Sequence, residues 1–159
     1  MRNRILALLL VTVFVAVALG PTVAQPARPT QEQLLALWTD ALKSLGGFSP
    51  KWARTAPKFI KENFIDKNVP IFLLDVREFS ERKDVGFIKG SVTIPLAELP
   101  ANIDKLPADK NTIIVSYCAI GWRCAISLPF LVQLGYKNVY GMDGGLKAWI
   151  DAGYPVEKE

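Results

Sequence analysis

Thr112-Ile113-Ile114-Val115-Ser116-Tyr117-Cys118-Ala119-Ile120-Gly121-Trp122-Arg123-Cys124 joins an apolar, β-branched run to a short cysteine loop. The first six residues read as a buried strand, and residues 122–134 are apolar enough to form a helix packed on a sheet. Cys118 therefore falls where a strand ends and a helix begins. Several backbone N–H groups at such a junction lack intrahelical partners and point outward together, which attracts an anion and favours thiolate over thiol. A cysteine so placed has its pKa drawn from about 8.5 into a range of roughly 3.5 to 7.5. Gly121 lets the backbone fold tightly around the sulfur. Arg123 either faces a bound oxyanion or clamps the loop to a carboxylate behind it. A cysteine at a strand end is ordinarily a small buried hydrophobe. The glycine and arginine at loop spacing set this one apart.

Working outward, Pro70-Ile71-Phe72-Leu73-Leu74-Asp75-Val76 is an almost continuous apolar run, as in a strand covered on both faces. Further strands are expected at residues 91–94 and 137–140. Helices are expected at residues 56–63, with Pro57 in the first turn, and at 99–103, 122–134 and 146–152. Pro129 interrupts the helix after the loop, where an interior proline costs about 3 kcal/mol unless the helix kinks. Strands alternating with helices predict a parallel α/β sheet, in which ligands gather at the carboxyl ends of the strands, where Cys118 lies. Nearer the start, Thr30 and Gln33 have capping-box spacing. Leu34, Leu35, Leu37, Trp38, Leu42 and Leu45 then fall on one side of a helix ending at Gly46-Gly47, expected to pack on the main domain in a structural role.

The chain opens with Arg2 and Arg4, an apolar run from Ile5 to Leu19, and the small-residue sequence Thr22-Val23-Ala24. This reads as a signal peptide over residues 1–24, cleaved after Ala24, and the expected location is periplasmic or extracellular. A run of roughly fifteen residues is short for a span, which takes about 20; membrane attachment is expected only if the segment stays uncleaved. Residues 25–48 read as a tether and the first helix, and residues 49–157 as the main domain.

Loss of residues 1–24 removes two arginines and no acid, so the formal charge falls from +4 to +2. No basic stripe interleaved with aromatics marks a nucleic-acid partner. There is no histidine, which excludes Cys–His, Ser–His and His–metal arrangements; two cysteines alone do not make a zinc site, and no cofactor is expected. Two cysteines so close in sequence are not a disulfide framework. Any chemistry runs on a thiolate held by backbone dipoles and arginine.

Four segments together resemble a single-domain rhodanese, of the sulfurtransferase family. They are Leu73-Leu74-Asp75-Val76-Arg77-Glu78; Gly86-Phe87-Ile88-Lys89-Gly90-Ser91 running on to Ile94-Pro95; Tyr117 to Cys124; and Val139 to Trp149 with Gly144-Gly145, followed by Gly153-Tyr154-Pro155. The resemblance spans residues 49–157. It implies a small parallel five-stranded sheet flanked by helices on both faces, here with an extra N-terminal helix. It implies that Cys118 carries a persulfide, and that Ala119, Ile120, Gly121, Trp122, Arg123 and Cys124 form the loop around it. A small sulfur-containing anion such as thiosulfate would be the donor, and cyanide, a thiol or a partner protein the acceptor. Asp75 would sit beneath the loop and hold Arg123, while Arg77 would face the site or serve as a surface ion-pair partner.

Phe87 stands where the family has histidine, a structural position. Trp122 either narrows the mouth of the site or packs on a neighbouring helix. With Tyr117, it is expected to select among donors. Cys124, in place of a common serine, is either a packing residue or a thiol that resolves the persulfide or pairs with Cys118. A cysteine phosphatase would space the two residues as C-x-x-x-x-x-R, one residue wider than here. A non-catalytic rhodanese-like binding or sensing module, and a thiol–disulfide redox protein, are the alternatives to a sulfurtransferase.

Overall fold

The strands form where the sequence supplies apolar side chains to two layers at once. In the strand Ile71–Asp75 Leu73 and Leu74 face opposite layers, as do Ile114 and Val115 in Ile113–Tyr117. The computed structural model describes residues 30–46 and 53–159. The segment read as a signal peptide and the tether at residues 25–29 lie outside the described residues.

Five strands make one sheet: β1 (Ala53–Thr55), β2 (Ile71–Asp75), β3 (Val92–Thr93), β4 (Ile113–Tyr117) and β5 (Asn138–Met142), in the order β1-β5-β4-β2-β3. Every neighbouring pair is parallel. The five-stranded α/β expectation holds. From β2 the chain crosses to one edge, and from β4 it crosses the other way. The carboxyl ends of β2 and β4, with Asp75 in register with Tyr117, are thus the topological switch point.

On one face α4 (Trp122–Gln133) buries Cys124, Leu128, Leu131 and Val132 against Leu74, Ile114 and Val139. On the other, Ile60 and Phe64 from α2 (Pro57–Ile60) and its π-helical continuation (Lys61–Ile65), with Leu146 and Trp149 from α5 (Gly145–Asp151), cover Leu73, Val115 and Met142. The two layers bury the central strands β2 and β4, while Arg54 in β1 and Val92 in β3 stay exposed at the edges. The expected helix at residues 99–103 is a 3₁₀ turn, Leu99–Lys105. Pro129 lies inside α4 without ending it.

Two elements were not anticipated. The strand β1 is three residues without an apolar pattern, formed by pairing with β5 at the sheet edge. The helix α3 (Phe79–Val85) buries no side chain, so it shows no hydrophobic period; a capping box between Glu78 and Glu81 starts it. The first helix, α1 (Gln31–Gly46), begins as expected: Thr30 N–H donates to Gln33 Oε1 at 2.8 Å and Gln33 N–H to Thr30 Oγ1 at 3.2 Å. Leu35 and Leu37, assigned to its packed side, stand exposed. Successive helical residues turn by about 100°, which puts Leu37 off the line through residues 34, 38, 42 and 45; Leu35, seven residues before Leu42, lies at the margin of that line.

Candidate functional site

The end of β4 delivers Cys118 into the interior with 1% of its surface exposed. Its sulfur accepts the Gly121 N–H at 3.1 Å. Hydrogen bonding from the Cys124 thiol, opposed by burial and assisted by the backbone N–H groups of Cys124, Gly121 and Ile120, holds the Cys118 thiol down to about 5. A thiol with that pKa is a thiolate at neutral pH.

The loop keeps this shape because its carbonyls are turned away and bonded elsewhere. The first turn of α5 donates to it, Leu146 N–H to the Cys118 carbonyl at 2.7 Å and Lys147 N–H to the Ala119 carbonyl at 3.0 Å. Such close approach needs glycine. A Cβ on Gly145, at φ +59°, would collide with the Cys118 carbonyl oxygen and lie 2.7 Å from the Ala119 carbonyl carbon. Gly121, at φ +100°, starts α4 in the left-handed region; a Cβ there would press within 3.1 Å of the Arg54 guanidinium and 3.2 Å of the Gly144 nitrogen.

Arg123 makes a two-pronged ion pair, Nη1 to Glu81 Oε2 at 2.6 Å and Nη2 to Glu81 Oε1 at 2.7 Å. The fork holds the Glu81 carboxyl below its ordinary range and raises the guanidinium. Glu81 also accepts the Glu78 N–H at 3.1 Å, which ties Arg123 to the start of α3. The expected partner, Asp75, is taken. Arg77 Nε and Nη2 bind its carboxylate at 2.9 and 2.6 Å, and the Arg77 N–H adds a bond at 3.1 Å. Arg77 is no surface residue: it is 1% exposed, and its Nη2 also donates to the Gly86 carbonyl at 2.8 Å. Asp75 and Arg77 brace β2 to the end of α3 beneath the site.

Ala119 and Ile120 line an outward cleft of about 310 Å³ with Arg77, Glu81, Val85 and Ile150. Trp122 is 74% exposed, so most of its ring faces solvent. Tyr117 is fully buried and faces no donor; its hydroxyl donates to Ser91 Oγ at 2.8 Å and accepts the Ile88 N–H at 3.3 Å. Burial chiefly pushes that phenol up to about 12. Phe87 lies under the Arg82 guanidinium, 3.3 Å from ring centroid to Cζ.

Cys124 is fully buried, its sulfur 3.1 Å from the Gly121 carbonyl oxygen. Sequence reasoning missed Glu81, Arg54 and the N–H groups of α5. The Glu78-x-x-Glu81 spacing was a readable capping signal for the first; nothing local marks the other two.

The family model for the rhodanese-like domain matches residues 56–152. A sulfurtransferase from Allochromatium vinosum is 30% identical over 86 residues, covering 54% of this chain and 78% of that protein. A tRNA uridine(34) hydroxylase from Hamiltonella defensa is 30% identical over 107 residues, 65% of this chain; the chain spans only 30% of that relative's length. Among solved structures, a rhodanese-related protein from Thermoplasma volcanium superposes with a TM-score of 0.60 at 34% identity, covering 68% of this chain and all of that one.

Proposed function

The chain belongs to the rhodanese-like domain family, and on that premise we propose that it is a sulfurtransferase working through a persulfide on Cys118. The observation that carries this is the buried Cys118 sulfur, held as thiolate by the loop's N–H groups and the Cys124 thiol. The thiolate attacks the outer sulfur of a donor such as thiosulfate. A bond forms between Sγ and that sulfur, the donor's S–S bond breaks, and sulfite leaves with the electron pair. The amide groups that favour a thiolate suit the charged terminal sulfur as they would an oxyanion. Cyanide or an acceptor thiolate then attacks the terminal sulfur and returns Cys118 to thiolate. The sulfurtransferase relative supports this reading.

Arg123 acts from its fork on Glu81 as a fixed positive charge near the donor. Ala119, Ile120 and the cleft beside them form the approach. The intact mass of a Cys124→Ser protein, in which no second thiol can consume a persulfide, tests this after thiosulfate, before and after cyanide. The expected result is a gain of one sulfur that cyanide removes and that Cys118→Ser never shows. No gain with thiosulfate or with polysulfide would overturn the assignment in favour of a binding module.

A further inference from the structure

The persulfide chemistry leaves one buried nucleophile unused. Cys124 is enclosed in the same apolar core as Cys118, and the two sulfurs engage opposite ends of one residue. Cys118 Sγ accepts the Gly121 N–H at 3.1 Å, while Cys124 Sγ stands 3.1 Å from the Gly121 carbonyl oxygen and 3.6 Å from that of Met142. No side chain stands between them at that residue, since Gly121 has none. A serine at position 124 would make the same bonds without redox capacity. A second thiol there adds a reaction.

We propose that Cys124 is a resolving thiol: it attacks the inner sulfur of the Cys118 persulfide, closes a Cys118–Cys124 disulfide, and discharges the sulfane sulfur as sulfide. This rests on the persulfide reading above. In the step, a bond forms between the two Sγ atoms and the bond from Cys118 Sγ to the sulfane sulfur breaks. Its electron pair goes to the departing sulfur, and the Cys124 proton leaves with it as HS⁻. The sulfane sulfur is reduced to sulfide while the two thiols are oxidised to disulfide, so no outside oxidant is needed. The disulfide is returned to two thiols by an external dithiol. The chain is then a sulfane-sulfur reductase as well as a carrier.

The order of events follows from charge. Hydrogen bonding to the Cys118 thiolate, then burial, pushes the Cys124 thiol up, so Cys124 keeps its proton while Cys118 is free. Persulfidation moves the negative charge one atom outward, onto the sulfane sulfur. Ionisation of Cys124 then no longer places two charged sulfurs side by side. The leaving sulfide departs from N–H groups of Gly121, Ile120 and Cys124 that already favour an anion there.

The test loads the reduced protein anaerobically with thiosulfate and, separately, with inorganic tetrasulfide, then desalts it. Intact mass without reductant and free sulfide are read together on wild type, Cys124→Ser and Cys124→Ala. The expected wild type is lighter by two hydrogens and has freed one sulfide per chain, with Cys124 closed to iodoacetamide even after unfolding. The expected variants are heavier by one sulfur and free none. A wild type that keeps the extra sulfur, frees no sulfide and alkylates at Cys124 after unfolding overturns this inference alone. Failure of wild type and both variants to take up sulfur from either donor overturns the persulfide reading and this one with it. The wild-type arm decides even where a variant does not fold.

Discussion

Cys118 stays charged because hydrogen-bond donors of the loop converge on its sulfur, and that has a measurable pH signature. Its folded pKa of about 5 lies below the 9.0 of an unperturbed thiol, so the folded state gains stability that is complete above about pH 9 and is lost as pH falls toward 5. Cys124 is displaced the other way and acts in the opposite sense only where an unfolded thiol ionises, above about pH 9. Between those limits, wild type should lose stability relative to Cys118→Ser as the pH drops. Urea unfolding of both proteins at either end of the window measures this, and a constant gap would count against a native thiolate. Sulfur uptake should be level near neutral pH and fall as pH drops through about 5. Trp122 is a different kind of residue: exposed, it contributes little to folding. Trp122→Ala should shift stability by no more than about 0.5 kcal/mol. If the ring meets the acceptor, KM for a bulky thiol should rise while KM for cyanide stays put.

At the scale of elements, the loop is a joint between three helices. The helix α5 grips its carbonyls, α4 supplies its N–H groups, and α3 anchors Arg123 through Glu81. Gly145→Ala should therefore cost about 3 kcal/mol or more, because the added methyl has no room and a positive φ strains any side chain. Thermal unfolding reads the stability, and iodoacetamide reactivity of Cys118 reads whether the loop has opened. Glu81→Gln should cost about 1.5–3 kcal/mol, as expected for hydrogen bonds to a charged group. It should also weaken donor binding more than the chemical step. Unchanged unfolding and kinetics would mean that Arg123 holds its place without Glu81. The capping signal at Glu78 and Glu81 was legible in the chain. Its use to hold an arginine 42 residues away was not, since nothing in sequence reports which of several carboxylates a guanidinium reaches.

Across the whole molecule, stability turns on a sheet whose central strands are buried on both faces and a charged pair buried beneath the site. Asp75 and Arg77 are almost wholly shielded from water, so removing one partner strands the other. Arg77→Met or Asp75→Asn should each cost about 3–5 kcal/mol, whereas changing both to apolar residues of like volume should cost much less. A double-mutant cycle by denaturant unfolding separates these outcomes, and additive single effects would show that the pair is not coupled. Leu128, packed on the glycine face of β5 at Gly141, should cost about 2–5 kcal/mol when cut to alanine.

What the chain determined by itself is whatever depends on neighbours in sequence. The apolar runs of β2 and β4, the loop from Cys118 to Cys124, the parallel α/β class and the Thr30 cap all follow from local spacing and polarity. Only the tertiary structure decided the rest. It spent Asp75 on Arg77 and gave Arg123 to Glu81, turned Tyr117 inward and Trp122 outward, and seated two sulfurs on the peptide groups of one glycine. It also made β1 a strand and α3 a helix without an apolar pattern to announce them. The reason is physical: pairing among charged and polar groups is a competition settled by reach and burial, and both exist only after distant segments have packed.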